Sequence, residues 1–172
     1  MTEEKIFNEL ISKGVISVKD NRLVIMDSIN MSTYGARAWA YTLQEIGKIK
    51  NKGYMYKLGY LMGEDSAKEF LEHIGKIRNF ITTQISDVSS VIELTGFGVV
   101  NIIREDTKIK VIVKKNNIIS YGKELYDEKS MIPEFYRGAY CAFINIFDKK
   151  DYKLKQMKND KKDNAICIFE SR

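Results

Sequence analysis

The sequence predicts an α+β fold in which helices pack on an antiparallel sheet. Apolar residues recur at spacings of three and four after residue 32 and again after Pro133, which is typical of amphipathic helices. Segments rich in β-branched residues lie near the middle and at the end of the chain. Short polar turns rather than helical crossovers join these segments, so the strands are expected to pair in antiparallel fashion.

Composition favours a single soluble domain. The 172 residues are 44% hydrophobic and 30% charged, with a formal net charge of +5. We find no apolar run of about 18 residues, so we expect no membrane insertion. The acidic, amphipathic N-terminus lacks the features of a signal peptide, which predicts a cytoplasmic protein. The modest positive charge permits nucleic-acid contact without arguing for it, and we expect no nucleic-acid partner.

The first 28 residues predict an appendage to the main domain. Residues 3–13 have one apolar side and predict a short helix, with Gly14 placed to end it. Alternating apolar residues on both sides of residues 19–21 then predict a β-hairpin. We therefore divide the chain into an appendage at residues 1–28 and a domain at residues 29–172.

Glycines interrupt the second of two long predicted helices. The helices span residues 32–47 and 54–74, and a third is predicted over residues 76–88. Each helix-interior glycine costs about 1 kcal/mol relative to alanine. Gly59 and Gly63 lie four residues apart and form a smooth groove, which indicates either tight helix packing or one wall of a small-molecule pocket.

The second half predicts two strands, a buried helix and a closing hairpin. Residues 91–103 predict one or two strands, with Gly96 and Gly98 as a bend or bulge. A further strand is predicted over residues 109–113 and a loop over residues 121–129. Pro133 suits the first turn of a helix that is apolar over more than half its circumference. A hairpin over residues 152–169 ends the chain.

Motifs for catalysis, metals and cofactors are missing from the sequence. His73 is the only histidine, so neither HExxH nor a histidine cluster can form, and no serine has a nucleophile-elbow setting. Cys141 and Cys167 lack CxxC spacing and predict buried free thiols. The segment containing Phe97 lacks the pattern of a phosphate loop. We therefore predict no catalytic residue, no metal and no cofactor.

Five stretches occur in the order YKLGYLMGEDSA, TGFGVV, VKKNN, FYRGAYCAFI and ICIFE. In this order the chain resembles the 4-vinyl reductase domain family, described as hydrocarbon-binding proteins, over residues 23–170. The resemblance implies the fold shared with haem-NO-binding domains and Golgi transport complex subunits, with an apolar pocket and a homodimer. It also suggests a free-standing archaeal member.

The chain departs from the family's sensor members at their zinc site. Those members use several cysteines and a glutamate near the last hairpin, and of these positions only Cys167 matches here. Since a zinc site needs three or four ligands, we predict no metal site. The family's phenol sensors also use a histidine and a tryptophan near the sheet, and residues 92–97 and 111–115 contain neither.

Binding of a hydrophobic or aromatic small molecule in an apolar pocket, as a sensor or carrier domain, is our leading hypothesis. Burial of apolar ligand surface would supply the affinity and tyrosine hydroxyls the orientation. Alternatives are a component of a vinyl-group reductase with a tetrapyrrole-type substrate, or a structural protein-interaction module. The candidate ligand-binding residues, selected by their bulk and their predicted facing, are Trp39, Tyr56, Tyr60, Met62, Phe97, Tyr140 and Phe143.

Overall fold

The computed structural model describes most of the chain from residue 35 onward and short parts before it. The described residues are 12, 16–19, 22–25, 29–31, 35–74, 88–105, 108–157 and 165–171. The predicted helices over residues 3–13 and 76–88 lie outside the described residues, apart from residues 12 and 88, and stay predictions.

A small three-stranded sheet comes first. Its strands are β1 (Ile16–Lys19), β2 (Arg22–Ile25) and β3 (Ile29–Met31), each antiparallel to the next. The predicted hairpin is confirmed by the pairing of β1 with β2, whereas β3 was not predicted. Because β3 pairs with β2, this sheet continues past residue 28, and the two-part division of the chain stays a prediction.

The main sheet has four antiparallel strands. They are β4 (Val99–Glu105), β5 (Lys108–Lys115), β6 (Leu154–Met157) and β7 (Cys167–Ser171), in the spatial order β4-β5-β7-β6. Helices pack on this sheet, so the predicted α+β class is confirmed. β7 closes the predicted hairpin with β6 and also pairs with β5, which makes the last strand of the chain a central one.

The predicted bend before the main sheet is confirmed, but the segment in front of it is helical. Gly96 and Gly98 have φ angles of 80° and 105°, and the β4–β5 register shifts at Val99 and Val100. Residues Val88–Leu94 form helix α3 instead of the start of a strand. Val88, Val91 and Ile92 are buried at helical spacing, so packing outweighs their preference for strands.

Two long helices precede α3 and two further helices follow β5. They are α1 (Ala36–Ile49), α2 (Lys52–Ile74), α4 (Asn117–Tyr126) and α5 (Ile132–Asp148). The predictions of α1, α2 and α5 are confirmed. The predicted loop over residues 121–129 is wrong, because α4 and a short 3₁₀ turn occupy this segment. Asn116 ends β5 and caps α4, its side-chain oxygen accepting from the Ile119 amide at 2.9 Å.

Helix α5 is the centre of the protein. Pro133 lies in its first turn, and most of its residues up to Asn145 are buried. One side contacts α2, and the opposite side contacts the sheet, where the ring centroids of Tyr140 and Phe169 are 5.9 Å apart. The expectation that this broad apolar helix is buried on two sides is therefore confirmed.

The glycine groove on α2 is filled by α5. A Cβ atom added at Gly59 would lie 1.8 Å from the Phe135 carbonyl oxygen, and one at Gly63 would lie 2.5 Å from that of Ala139. Gly138 makes the corresponding close contact from α5, since a Cβ atom added there would lie 2.0 Å from the Tyr56 carbonyl oxygen. The groove is thus a contact between two helix backbones, and the interpretation of it as a pocket wall is wrong.

Candidate functional site

A cleft lies beside this helix contact. One wall is the side of α2 next to the glycine groove, the floor is α5, and the other wall is residues 151–155, which we call the strap. The cleft has a volume of about 650 Å³. Its lining residues are Tyr56, Lys57, Tyr60, Leu61, Glu64, Arg137, Asp151, Tyr152, Lys153, Leu154 and Lys155.

The strap is attached to α5 through a buried asparagine. Asn145 accepts a hydrogen bond from the Tyr152 amide at 2.8 Å and donates one to the Tyr152 carbonyl at 3.2 Å. The Cys141 thiol donates to the same carbonyl at 3.0 Å. These bonds satisfy both backbone groups of Tyr152, so the strap has one defined position against the helix.

Arg137 lies on the floor of the cleft and is held by three neighbours. Its Nε and Nη2 atoms donate to Glu134 Oε2 at 3.0 and 2.6 Å, and Nη1 donates to the Leu154 carbonyl. The guanidinium lies 4.3 Å from the centroid of the Tyr56 ring, a cation–π distance. Arg137 therefore joins α2, α5 and the strap.

Tyr56 and Tyr60 form the aromatic wall of the cleft. Their ring centroids are 6.2 Å apart at an interplanar angle of 41°. Partial burial raises the pKa of the Tyr56 phenol, and its hydrogen bond with Cys141 raises that pKa further. Tyr56 is a neutral phenol at physiological pH, and the Arg137 guanidinium covers one face of its ring.

A second aromatic group, which we call the buried aromatic group, lies on the sheet side of α5. Tyr136, Tyr140 and Phe143 are buried, and Phe97 is partly buried against them. Phe97 makes edge-to-face contacts with Tyr136 and Phe143, at centroid distances of 6.1 and 5.2 Å. The Tyr140 hydroxyl and the Asn116 amide both donate to the Phe97 carbonyl at 2.8 Å. The rings are in mutual contact and the polar atoms are paired, so this group is well packed.

The seven predicted ligand-binding residues fall into several places. Tyr56 and Tyr60 line the cleft, whereas Phe97, Tyr140 and Phe143 belong to the buried aromatic group. The other two predicted residues lie away from both groups: Trp39 on α1 is partly buried against the core, and Met62 on α2 is 39% exposed.

Sequence reasoning missed Arg137 and the strap. A signal for Arg137 was present, because it is the only charged residue between Glu134 and Asp148 in an otherwise apolar helix. No comparable signal marks Tyr152, whose position depends on its hydrogen bonds with Asn145 and Cys141.

The described residues contain no group of three or more histidine, cysteine, aspartate or glutamate side chains arranged to hold a metal. Within the same residues, none of the helices has the length and apolar character needed to cross a membrane.

Buried titratable groups predict a loss of stability at alkaline pH. Burial raises the pKa of the Cys167 thiol to about 12, and burial likewise raises the pKa values of the Tyr136 and Tyr140 phenols. These groups ionise at lower pH in the unfolded chain, so their contribution to stability is complete below about pH 9 and declines above it. We expect the urea midpoint to fall steadily from about pH 9 upward.

Tyrosine absorbance in the near ultraviolet provides the matching measurement. In the folded protein Tyr136 and Tyr140 should ionise only as the chain unfolds, whereas the urea-unfolded chain should titrate at ordinary tyrosine values. Smooth ionisation of all tyrosines in a fully folded protein would contradict the expectation.

Comparison with known proteins identifies the fold. No family model matches the chain, and no curated protein matches it either. Among solved structures, the chain is similar to the phenol-responsive sensory domain of the transcription activator PoxR, determined in a crystal with phenol. The match has a TM-score of 0.60 and covers 99% of this chain and 91% of the sensory domain, at 9% sequence identity.

Proposed function

We propose that this protein binds a hydrophobic or aromatic small molecule in the cleft beside the strap and acts as a sensor or carrier domain. The observation that carries this proposal is the cleft of about 650 Å³, with Tyr56, Tyr60 and Tyr152 among its lining residues. Ligand sites of small molecules commonly measure about 300–1,000 Å³ and combine apolar walls with a few polar groups. Arg137 and the tyrosine hydroxyls are such polar groups.

The fold supports the proposal independently of the cleft. The PoxR sensory domain shares the arrangement of helices on an antiparallel sheet and holds phenol. Together with the five ordered stretches in the sequence, this likeness favours a divergent member of the 4-vinyl reductase domain family. Under this proposal the protein is cytoplasmic and homodimeric, and ligand binding at the strap would be transmitted through β6 into the main sheet.

Substitution of Tyr60 tests the location of the ligand. We expect Tyr60→Ala to weaken binding of a simple aromatic probe such as naphthol by about tenfold, because one aromatic contact contributes about 0.5–1.5 kcal/mol beyond its buried area. Isothermal titration calorimetry measures the change. Tyr41→Ala is the matched control, since Tyr41 lies on α1, is 58% exposed and does not line the cleft.

The same experiment evaluates the other predicted contacts. Phe143→Leu changes the buried aromatic group and leaves the cleft side chains intact. If Phe143→Leu loses affinity and Tyr60→Ala does not, the ligand binds at the buried aromatic group instead of the cleft. Absence of probe binding to the wild-type protein, together with a bare chain in native mass spectrometry, would contradict the proposed function.

A further inference from the structure

The cleft combines aromatic walls with a surplus of positive charge. Six charged side chains line it: Lys57, Arg137, Lys153 and Lys155 are cationic, and Glu64 and Asp151 are anionic. Two of these charges are paired with residues outside the lining: Glu64 with Lys68 and Arg137 with Glu134, each at 2.6 Å. The surplus therefore comes from the three lysines against Asp151. The electrostatic environment of the cleft therefore favours an anionic ligand.

Arg137 offers hydrogen-bond donors from the floor. An arginine has five N–H groups. One at Nε, one at Nη1 and one at Nη2 are used by Glu134 and Leu154, which leaves one N–H on each terminal nitrogen. The guanidinium is fixed by these bonds and by the Tyr56 ring, so a ligand that accepts from it does not have to order a flexible side chain.

A pure hydrocarbon is a poor match for this floor. It would remove water from the Arg137 N–H groups without replacing the lost hydrogen bonds, and unsatisfied charged donors are costly to bury. A carboxylate attached to an aromatic ring satisfies both parts of the cleft: its oxygens accept from Arg137, and the ring packs on Tyr60 and Tyr152. Charge-assisted bonds between arginine and a carboxylate are also among the stronger hydrogen bonds.

We propose that the cleft takes aromatic carboxylic acids, with the carboxylate on Arg137 and the ring between Tyr60 and Tyr152. This inference rests on the proposed small-molecule binding and specifies the chemical class of the ligand. Lys57 and Lys153 lie at the rim, where they attract the anion over a longer range.

Calorimetry with naphthoate and naphthol near pH 7 tests the proposal, since the two probes share a ring system and only the acid is charged at this pH. We expect naphthoate to bind about tenfold more tightly than naphthol, and Arg137→Gln to reduce this preference to about threefold or less. Arg104→Gln is the matched control, because Arg104 pairs with Asp148 away from the cleft and its loss should leave the preference unchanged.

A second variant keeps the test decisive if Arg137→Gln does not fold. Lys57 and Lys153 are exposed, and their double replacement by glutamine should lower the preference for naphthoate by about two- to threefold. An unchanged preference in this double variant, or in a folded Arg137→Gln protein, overturns the inference. If the wild type binds naphthol as tightly as naphthoate or more tightly, the inference of an acidic ligand is overturned and the proposed small-molecule binding remains. If it binds neither probe, both the inference and the proposed function are overturned.

Discussion

Replacement of Gly63 by leucine is expected to prevent folding. Gly63 lies where the backbones of α2 and α5 touch, and even a single added carbon would lie 2.5 Å from the Ala139 carbonyl oxygen. The obstacle is helix backbone at the centre of the protein, which cannot rotate away as a side chain can. Separating the two helices would open the most extensive contact between the described elements, and total stabilities are only about 5–15 kcal/mol.

The alanine variant makes the same argument quantitative. Helix propensity alone would make Gly63→Ala stabilising by about 1 kcal/mol. We expect instead a destabilisation of about 3 kcal/mol, measured by urea unfolding with circular dichroism, because the methyl group overpacks the contact. Gly53→Ala is the control in the same helix: Gly53 is exposed, and its new Cβ would lie 3.3 Å from Asn51 Oδ1 and meet no helix backbone. Stability should change by less than about 0.5 kcal/mol. A stable Gly63→Ala protein would contradict this account of the groove.

Replacement of Asn145 by leucine should both destabilise the protein and weaken ligand binding. The side chains have similar volume, but leucine cannot pair with the amide and carbonyl of Tyr152. Because the two backbone groups lose their hydrogen bonds to the asparagine, the free energy of unfolding is expected to fall by about 2–4 kcal/mol. The strap would lose its defined position, so affinity for an aromatic probe should fall together with the urea midpoint.

Asn101 is the control for this substitution. It is an exposed asparagine on β4, so Asn101→Leu should change the free energy of unfolding by less than about 0.5 kcal/mol. Retention of full stability in Asn145→Leu would show that other contacts hold the strap. Retention of ligand affinity despite lost stability would separate the strap from the ligand site.

Local patterns determined much of the fold. The α5 segment is apolar around most of its circumference, which is enough to predict a helix buried on two sides. The four-residue spacing of Gly59 and Gly63 predicted a close approach to another segment. The bend before β4 was predicted from Gly96 and Gly98, which lie among β-branched residues. In each case the residues that carry the signal lie within a few turns of one another.

Local composition misled where tertiary packing outweighed it. Val91 and Ile92 prefer strands, yet their burial together with Val88 requires helical spacing. The loop predicted over residues 121–129 is likewise wrong, because Asn116 caps the Ile119 amide and starts α4. This capping bond is local, since it joins residues three apart, and Asn116 was the sequence signal that could have predicted α4.

Local sequence patterns predicted the α+β class, the central helix and a close approach at Gly59 and Gly63, and they indicated Tyr56 and Tyr60 as candidate ligand-binding residues. Long-range contacts place β7 between β5 and β6, attach the strap through Asn145 and set Arg137 beneath Tyr56, and no local pattern indicates these arrangements. The two groups of features differ in the range of the interactions that produce them. Helical and strand periods are properties of neighbouring residues, whereas a cleft forms between segments that meet only after the chain has closed its long-range contacts.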